Sequence, residues 1–214
     1  MKYPFFDSTQ LKTSRTECFD LVRKHLGVSH ERRAVLDTLA GAIQEARLSP
    51  GFPTVHLVFI CTHNSRRSQL AQIWSQCIAD DLNLGFLSCH SAGTEQTVFH
   101  PNAMSALVQR GFLIEKVKEG ALEAHDVRWN KALEPMRCFS KTLDAPSLPK
   151  AGFVAVSTCS DADRVCPFVE GASHRISLPF SDPKGSDGLP HAITAYAQVS
   201  DAIALEMLYV LGQC

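Results

Sequence analysis

The chain has 214 residues, 45% of them hydrophobic and 20% charged, and its 21 basic and 22 acidic side chains leave a formal net charge of −1. That length suits one α/β domain with some extra sequence, and the composition is ordinary for a globular protein. The charge balance excludes a whole-surface nucleic-acid or acidic-membrane binder, so any affinity for anions must be local. The N-terminal segment MKYPFFDSTQLK has no long apolar run after its early Lys, which argues against a secretory signal. No stretch approaches the ~18 apolar residues of a membrane span. A cytoplasmic chain with reduced thiols is expected.

Residues 1–52 read as an N-terminal helical extension and 53–214 as the main domain. Ser14 caps a predicted helix carrying Cys18, Leu21, Val22 and Leu26, which Gly27 ends. Ser29 caps a second, with Val35, Leu36, Leu39 and Ile43 on one face and Arg32 and Arg33 exposed. The two form a helical hairpin, and the Pro- and Gly-bearing segment 48–53 closes it. From Val55 the pattern becomes strand–helix. Residues 55–60 are an apolar run of the kind buried on both faces of a sheet. A helix is predicted over 68–82, a strand over 86–90 ended by Ser91-Ala92-Gly93, and a helix over 102–109. Residues 123–131 read as helical and 137–142 as a strand. Strands are predicted over 153–157 and 175–178, and a closing helix over 192–211. The alternation predicts a four-stranded parallel sheet with helices on both faces.

Eight cysteines are present. Cys77 and Cys89, and with them Cys18 and Cys138, read as small core residues, and terminal Cys214 carries no expected role. Cys61, Cys159 and Cys166 sit instead in loops beside turn-forming residues. Cys61 opens the segment Cys61-Thr62-His63-Asn64-Ser65-Arg66-Arg67-Ser68, between a buried strand and a helix. Ligands of open parallel sheets bind beyond the carboxyl ends of strands, and a helix start offers unpaired N–H groups to an anion. Arg67 adds a planar fork matched to two oxyanion oxygens, and a Cys in that field is expected to be a nucleophile. Five residues between Cys and Arg let the loop curl with its amides inward, from Thr62 through Ser68, around a tetrahedral oxyanion. The plainer reading is a buried Cys at a strand end and an Arg paired with a surface carboxylate.

Proton delivery to a leaving oxygen requires a general acid. Asp182 in Ser181-Asp182-Pro183 follows the last predicted strand and falls on the same rim as Cys61, with Pro183 biasing it toward extended backbone; a simple Asp-Pro turn is the alternative. Cys159 ends the 153–157 strand, and Cys166 follows seven residues later. The pair reads best as a dithiol–disulfide couple. Zinc would need further ligands, with nothing marking out His90 or His174, so no metal is expected. Two unrelated free thiols are the remaining alternative.

The run Cys61 to Gln69 followed by Leu70-Ala71 resembles the opening of low-molecular-weight protein tyrosine phosphatases, and more closely that of thioredoxin-coupled arsenate reductases. Ser91-Ala92-Gly93, Asp182-Pro183, and Thr158-Cys159-Ser160-Asp161-Ala162 with Cys166-Pro167 match the same family at their places. The resemblance covers about Val55 to Leu211. It implies arsenate held by Arg67 and the loop amides, attack by Cys61, proton delivery by Asp182, and a relay in which Cys159 and then Cys166 take over the disulfide. An external thioredoxin-like dithiol would regenerate the enzyme, with no bound cofactor. The chain departs from the family at His63, where many members have Gly, at Arg66, where many have a second loop Cys, and at Gln72, where some have an acidic residue that helps bind potassium. No aromatic pair follows Asp182-Pro183, as phosphotyrosine enzymes of this type tend to have. Arsenate reduction is the first expectation, hydrolysis of a phosphomonoester through a phosphocysteine the second, and a non-catalytic anion-binding or redox-sensing module that docks a partner through the hairpin the third.

Overall fold

The computed structural model describes residues 30–51, 53–119, 122–165 and 168–214. The first predicted helix, from Ser14, lies outside the described residues. The second is α1, His30–Leu48. It does not stand apart from the fold: Leu36, Leu39 and Ile43 are fully buried in the main core. Arg32, expected to be exposed, is half-buried. Its guanidinium makes a two-point pair with Glu206, at 2.7 Å for both bonds, and lies 5.0 Å over the Phe180 ring.

Strand β1 (Val55–Cys61), helix α2 (Arg67–Asp81) and strand β2 (Leu87–Gly93) form the first βαβ unit. Helix α3 (Pro101–Val108) follows. Strand β6 (Phe153–Ser157) and β7 (Ala172–Ser177) complete a parallel sheet of order β2-β1-β6-β7. The closing helix is α5 (Ala192–Leu211). Alternate residues of β1 face opposite cores. Leu57 and Phe59 pack into the larger one, with α1, α2, α3 and α5, and Val58 and Ile60 into a smaller one on the other face. That two-sided burial explains why the strand is apolar throughout.

Residues 112–142 correct the expectation. The predicted helix over 123–131 is instead the strand β4 (Leu122–Arg128), paired antiparallel with β3 (Leu113–Glu119) and β5 (Met136–Phe139) in a separate three-stranded sheet. Leu, Glu and Ala give this segment a helical look, but burial of Ala124 and Val127 and the cross-strand pairs Lys116–Glu123 (3.0 Å) and Arg137–Asp126 (2.6 Å) decide for the strand. The predicted strand over 137–142 stops at Phe139, and residues 140–142 turn toward the parallel sheet, where Thr142 bridges Gly93. A short helix absent from the sequence reading, α4 (Ser160–Val165), follows β6.

The chain runs from β1 outward to β2, then returns to place β6 on β1's other side. The strand order therefore reverses between β1 and β6, where open α/β sheets form their ligand crevice. Cys61 ends one of these strands and Cys159 lies two residues past the other.

The core thiols behave as expected of packing residues. Cys77, Cys89 and Cys138 are buried, and burial pushes the Cys138 thiol up to about 12 and raises that of Cys89. Among the described residues no helix is long and apolar enough to cross a membrane.

Two outcomes follow. Leu39→Ala opens a cavity in the main core and costs about 2–5 kcal/mol in urea unfolding; a change within error would mean that α1 is not part of the cooperative unit. His90 on β2 sits 3.0 Å from His56, and burial, then the charges of His56 and Lys141, depress it from 6.5 to about 4. Between those values the unfolded chain binds a proton that the folded chain refuses, so stability falls as the pH drops through that window. The urea midpoint is lower at pH 5 than at pH 7, and His90→Gln narrows the difference.

Candidate active site

Beyond β1 the chain turns sharply into α2, and this loop is fixed from beneath. The Cys61 Sγ lies 3.0 Å from Ser68 Oγ, and Asn64 Nδ2 donates to the same oxygen at 2.9 Å. Because the Ser68 oxygen accepts from Asn64, its own hydrogen is free to point at the sulfur. Asn64 is fully buried with φ at +44°, a left-handed conformation that Asn tolerates better than most side chains. Its Oδ1 accepts from the Lys141 amide at 2.9 Å, and Gln69 Nε2 reaches its main-chain oxygen at 3.2 Å.

The loop carbonyls are tied outward. The Cys61 and Thr62 oxygens accept from the amides of Thr94 (3.3 Å) and Glu95 (2.8 Å), that of His63 from Ser140 Oγ (3.0 Å), and that of Ser65 from the His100 amide (2.9 Å). The N–H groups are what the loop has left to offer an anion. Gly93 makes this close approach feasible. A Cβ there would stand 2.6–2.7 Å from Glu95 O, Asn64 N and Thr62 O, all main-chain atoms.

Arg67 Nη2 donates to Asp182 Oδ2 at 2.6 Å and Nη1 to the Phe180 carbonyl at 3.1 Å. Asp182 Oδ1 accepts from the Lys184 amide at 3.0 Å, capping a 3-10 turn over Pro183–Ser186. Cys61, Thr62, His63, Ser65, Arg67 and Asp182 line one small recess. His63 stands at its rim, its Nε2 3.4 Å from Glu95 Oε2. Arg66 also lines the recess, but its guanidinium is engaged elsewhere, donating to Tyr196 Oη (2.6 Å) and Asp187 Oδ2 (2.7 Å).

Cys159 is buried beside this loop. Its Sγ lies 3.7 Å from Thr62 Oγ1 and accepts the Ala162 amide at 3.3 Å. The preceding Thr158 bonds Ile60 O through both its amide (2.7 Å) and its hydroxyl (2.9 Å), stitching the ends of β6 and β1 together. Cys166 lies outside the described residues. His90 pairs with His56, and His174 on β7 has its Nε2 3.0 Å from Glu45 of α1. Among the described residues no group of three or more His, Cys, Asp or Glu is placed to hold a metal ion.

Sequence reasoning missed Gly93's packing role, the brace from Ser140 and Lys141, and a polar cluster of His100, Asn102, Asp187 and Tyr196. In that cluster burial opposes the Asp187 charge, yet hydrogen bonds from Tyr196 and Arg66 outweigh it and hold the carboxyl below its ordinary range. Burial and then the bond to Asp187 push the Tyr196 hydroxyl up to about 12. Only the Ser-Ala-Gly run gave a signal, through a glycine at a strand end.

A reversed parallel sheet with a Cys-x5-Arg loop at its switch point defines a cysteine-dependent α/β enzyme. The low molecular weight phosphotyrosine protein phosphatase family model matches residues 56–128. An arsenate reductase of Bacillus cereus (strain Q1) is 32% identical over 132 residues, spanning 61% of this chain and 78% of that protein. Arsenate reductase 2 of Bacillus cereus (strain ATCC 10987 / NRS 248) is 31% identical over the same shares. The solution structure of a low molecular weight protein tyrosine phosphatase from Bacillus subtilis superposes with a TM-score of 0.50 at 16% identity, covering 74% of this chain and 96% of that one. An arsenate reductase in the phosphate binding state gives a TM-score of 0.50 at 17% identity, over 74% and 98%. The chain belongs to the low-molecular-weight phosphotyrosine protein phosphatase family, and it is an enzyme, an arsenate reductase or a cysteine phosphatase.

Gly93→Ala forces a methyl against three main-chain atoms of the loop and its neighbour. It lowers turnover and costs about 1–3 kcal/mol of stability; an unchanged melting temperature and full activity would show that the loop tolerates a Cβ there.

Proposed function

We propose that the protein is an arsenate reductase in which Cys61, Cys159 and Cys166 pass a disulfide along the chain. The observation that carries this reading is the second thiol against the nucleophile loop, with Cys159 Sγ 3.7 Å from Thr62 Oγ1. Hydrolysis of a phosphocysteine needs Cys61, Arg67 and Asp182 but has no use for a thiol there. The segment after Asp182-Pro183 supports a small inorganic substrate as well. It is the 3-10 turn Pro183-Lys184-Gly185-Ser186, with no aromatic side chain to flank an aryl ring.

Arsenate, like the phosphate held by the structurally similar arsenate reductase, is a tetrahedral oxyanion suited to the loop amides and the Arg67 fork. Arg67 is paired with Asp182, so an incoming anion competes for the guanidinium and opens that pair as it binds. The Cys61 thiolate attacks arsenic, an arsenic–oxygen bond breaks, and Asp182 protonates the departing oxygen. The Cys159 thiolate then attacks the Cys61 sulfur. The sulfur–arsenic bond breaks with its electron pair going to arsenic, so arsenite leaves and a Cys61–Cys159 disulfide remains. Cys166 attacks Cys159, which forms Cys159–Cys166 and frees Cys61. An external thioredoxin-like dithiol supplies the two electrons that reduce this last bond. Dependence on such a dithiol fits a reducing, cytoplasmic setting.

The test compares arsenite release in the presence of thioredoxin, thioredoxin reductase and NADPH with hydrolysis of an aryl phosphate, for wild type, Cys61→Ser, Cys159→Ser and Cys166→Ser. Each substitution abolishes arsenite turnover, a loss on the scale of about 10³-fold or more. Arsenite production surviving the loss of both Cys159 and Cys166, or reductant-free phosphatase turnover undiminished in Cys159→Ser with no arsenate activity in wild type, points to the phosphatase instead.

A further inference from the structure

Arg66 and the segment after Asp182 meet in one cluster. Arg66 closes the nucleophile loop, and its guanidinium donates to Asp187 Oδ2 at 2.7 Å and to Tyr196 Oη at 2.6 Å. The Tyr196 hydroxyl in turn donates to Asp187 Oδ1 at 2.7 Å, and Asn102 Nδ2 donates to the same oxygen at 3.1 Å. His100 stacks on Tyr196 with centroids 5.4 Å apart and an interplanar angle of 13°. Its Nδ1 accepts the Asn102 amide at 3.2 Å, which leaves the hydrogen on Nε2, 3.5 Å from Asp187 Oδ2. The His100 amide also holds the Ser65 carbonyl of the loop.

Asp187 is thus where four elements converge: the nucleophile loop, the start of α3, the start of α5, and the 3-10 turn that Asp182 caps. Its own amide donates to Lys184 O at 3.0 Å, so it closes that turn from the far end. Between Asp182 at one end of the turn and Asp187 at the other there is little freedom. Anchoring Asp187 to Arg66 therefore sets where Asp182 stands relative to Cys61.

We propose that Asp187 is a positioning residue, which clamps the turn carrying Asp182 onto the nucleophile loop through Arg66 and Tyr196. Arg66, on this account, serves the reaction through its side chain's grip on Asp187, and it leaves the anion to Arg67 and the loop amides. The loop itself is held independently by Asn64, Ser68, Lys141 and Gly93. Loss of the clamp disturbs proton delivery more than anion binding.

The experiment rests on the chain's being an enzyme of this family and uses whichever substrate, arsenate or an aryl phosphate, wild type turns over, so the choice of substrate and the clamp are tested separately. Turnover is measured for wild type, Asp182→Asn, Asp187→Asn and the double variant. Asp187→Asn lowers kcat about tenfold or more, with KM within about threefold of wild type, because it acts through the acid and not the anion site. The double variant falls no further than Asp182→Asn alone, since a misplaced acid and an absent one are the same defect. Losses that multiply, or a KM that rises in step with the fall in kcat, overturn the proposal in favour of general damage to the loop. Tyr196→Phe deletes one hydroxyl of the clamp and serves if Asp187→Asn does not fold. It gives a smaller loss in kcat with the same non-additivity toward Asp182→Asn, and full additivity there overturns the proposal equally.

Discussion

The site depends on one buried residue in an uncommon conformation. Asn64 turns the chain at φ +44°, and its side chain donates to Ser68 and accepts from the Lys141 amide and from Gln69 Nε2. The first bond uses the Ser68 oxygen as an acceptor and leaves its hydrogen available to the Cys61 sulfur. The second ties the loop to the stretch leaving β5. A buried amide leaves no slack in such an arrangement, because each unmade bond would strand a polar group away from water. The outward pull on the loop carbonyls follows from the same turn, and with it the orientation of the N–H groups that an anion would meet.

Much of this was legible in the sequence because the relevant signals were local. The apolar run at β1, the Cys-x5-Arg spacing and the helix behind it sit in one contiguous stretch from Val55 to Asp81, and sheet topology does the rest by placing their junction at a switch point. The place of Asp182 was legible for a similar reason: an Asp-Pro a few residues past the last strand is visible without knowing what faces it. The brace around the loop was not legible. Ser140, Lys141, His100 and Asp187 contact the loop from 35 to 121 positions away along the chain, as the separations of their bonded partners show. No residue-type pattern announces that a lysine amide will cap an asparagine. The error at β4 has the opposite cause. Leu122 to Arg128 has local preferences of its own, and they point to a helix; pairing with β3 and β5 overrode them.

The small antiparallel sheet and α1 each add contacts to the site from outside the parallel sheet. The former delivers Ser140 and Lys141 to the loop. The latter delivers Arg32, whose guanidinium covers Phe180 while Phe180's carbonyl receives Arg67. The second helix of the predicted hairpin thus shares a core with the sheet and touches the segment that carries the acid. Its fully buried Leu36, Leu39 and Ile43 supply the apolar area that such an attachment requires, on the order of 1.5–3 kcal/mol for each side chain.

The distinction between reductase and phosphatase then comes down to what reaches the Cys61 adduct once the oxyanion is attached. Water must arrive beside the arsenic or phosphorus atom and be deprotonated there; a thiolate must arrive at the sulfur. Cys159 is 1% exposed, packed in the same small apolar cluster as Cys61, and held at the crevice by the two hydrogen bonds that Thr158 donates to the Ile60 carbonyl. A thiol so placed lies against the nucleophile loop and is shielded from solvent, as the proposed transfer of a bond within the protein requires. The amide of Ala162 already points at its sulfur, so charge developing there meets a donor without rearrangement. The relay proposed above, with both of these sulfurs buried, requires a third thiol that an external dithiol can reach. A disulfide formed between two buried sulfurs is out of reach of an external dithiol, and it becomes reducible only when an exchange carries it outward along the chain.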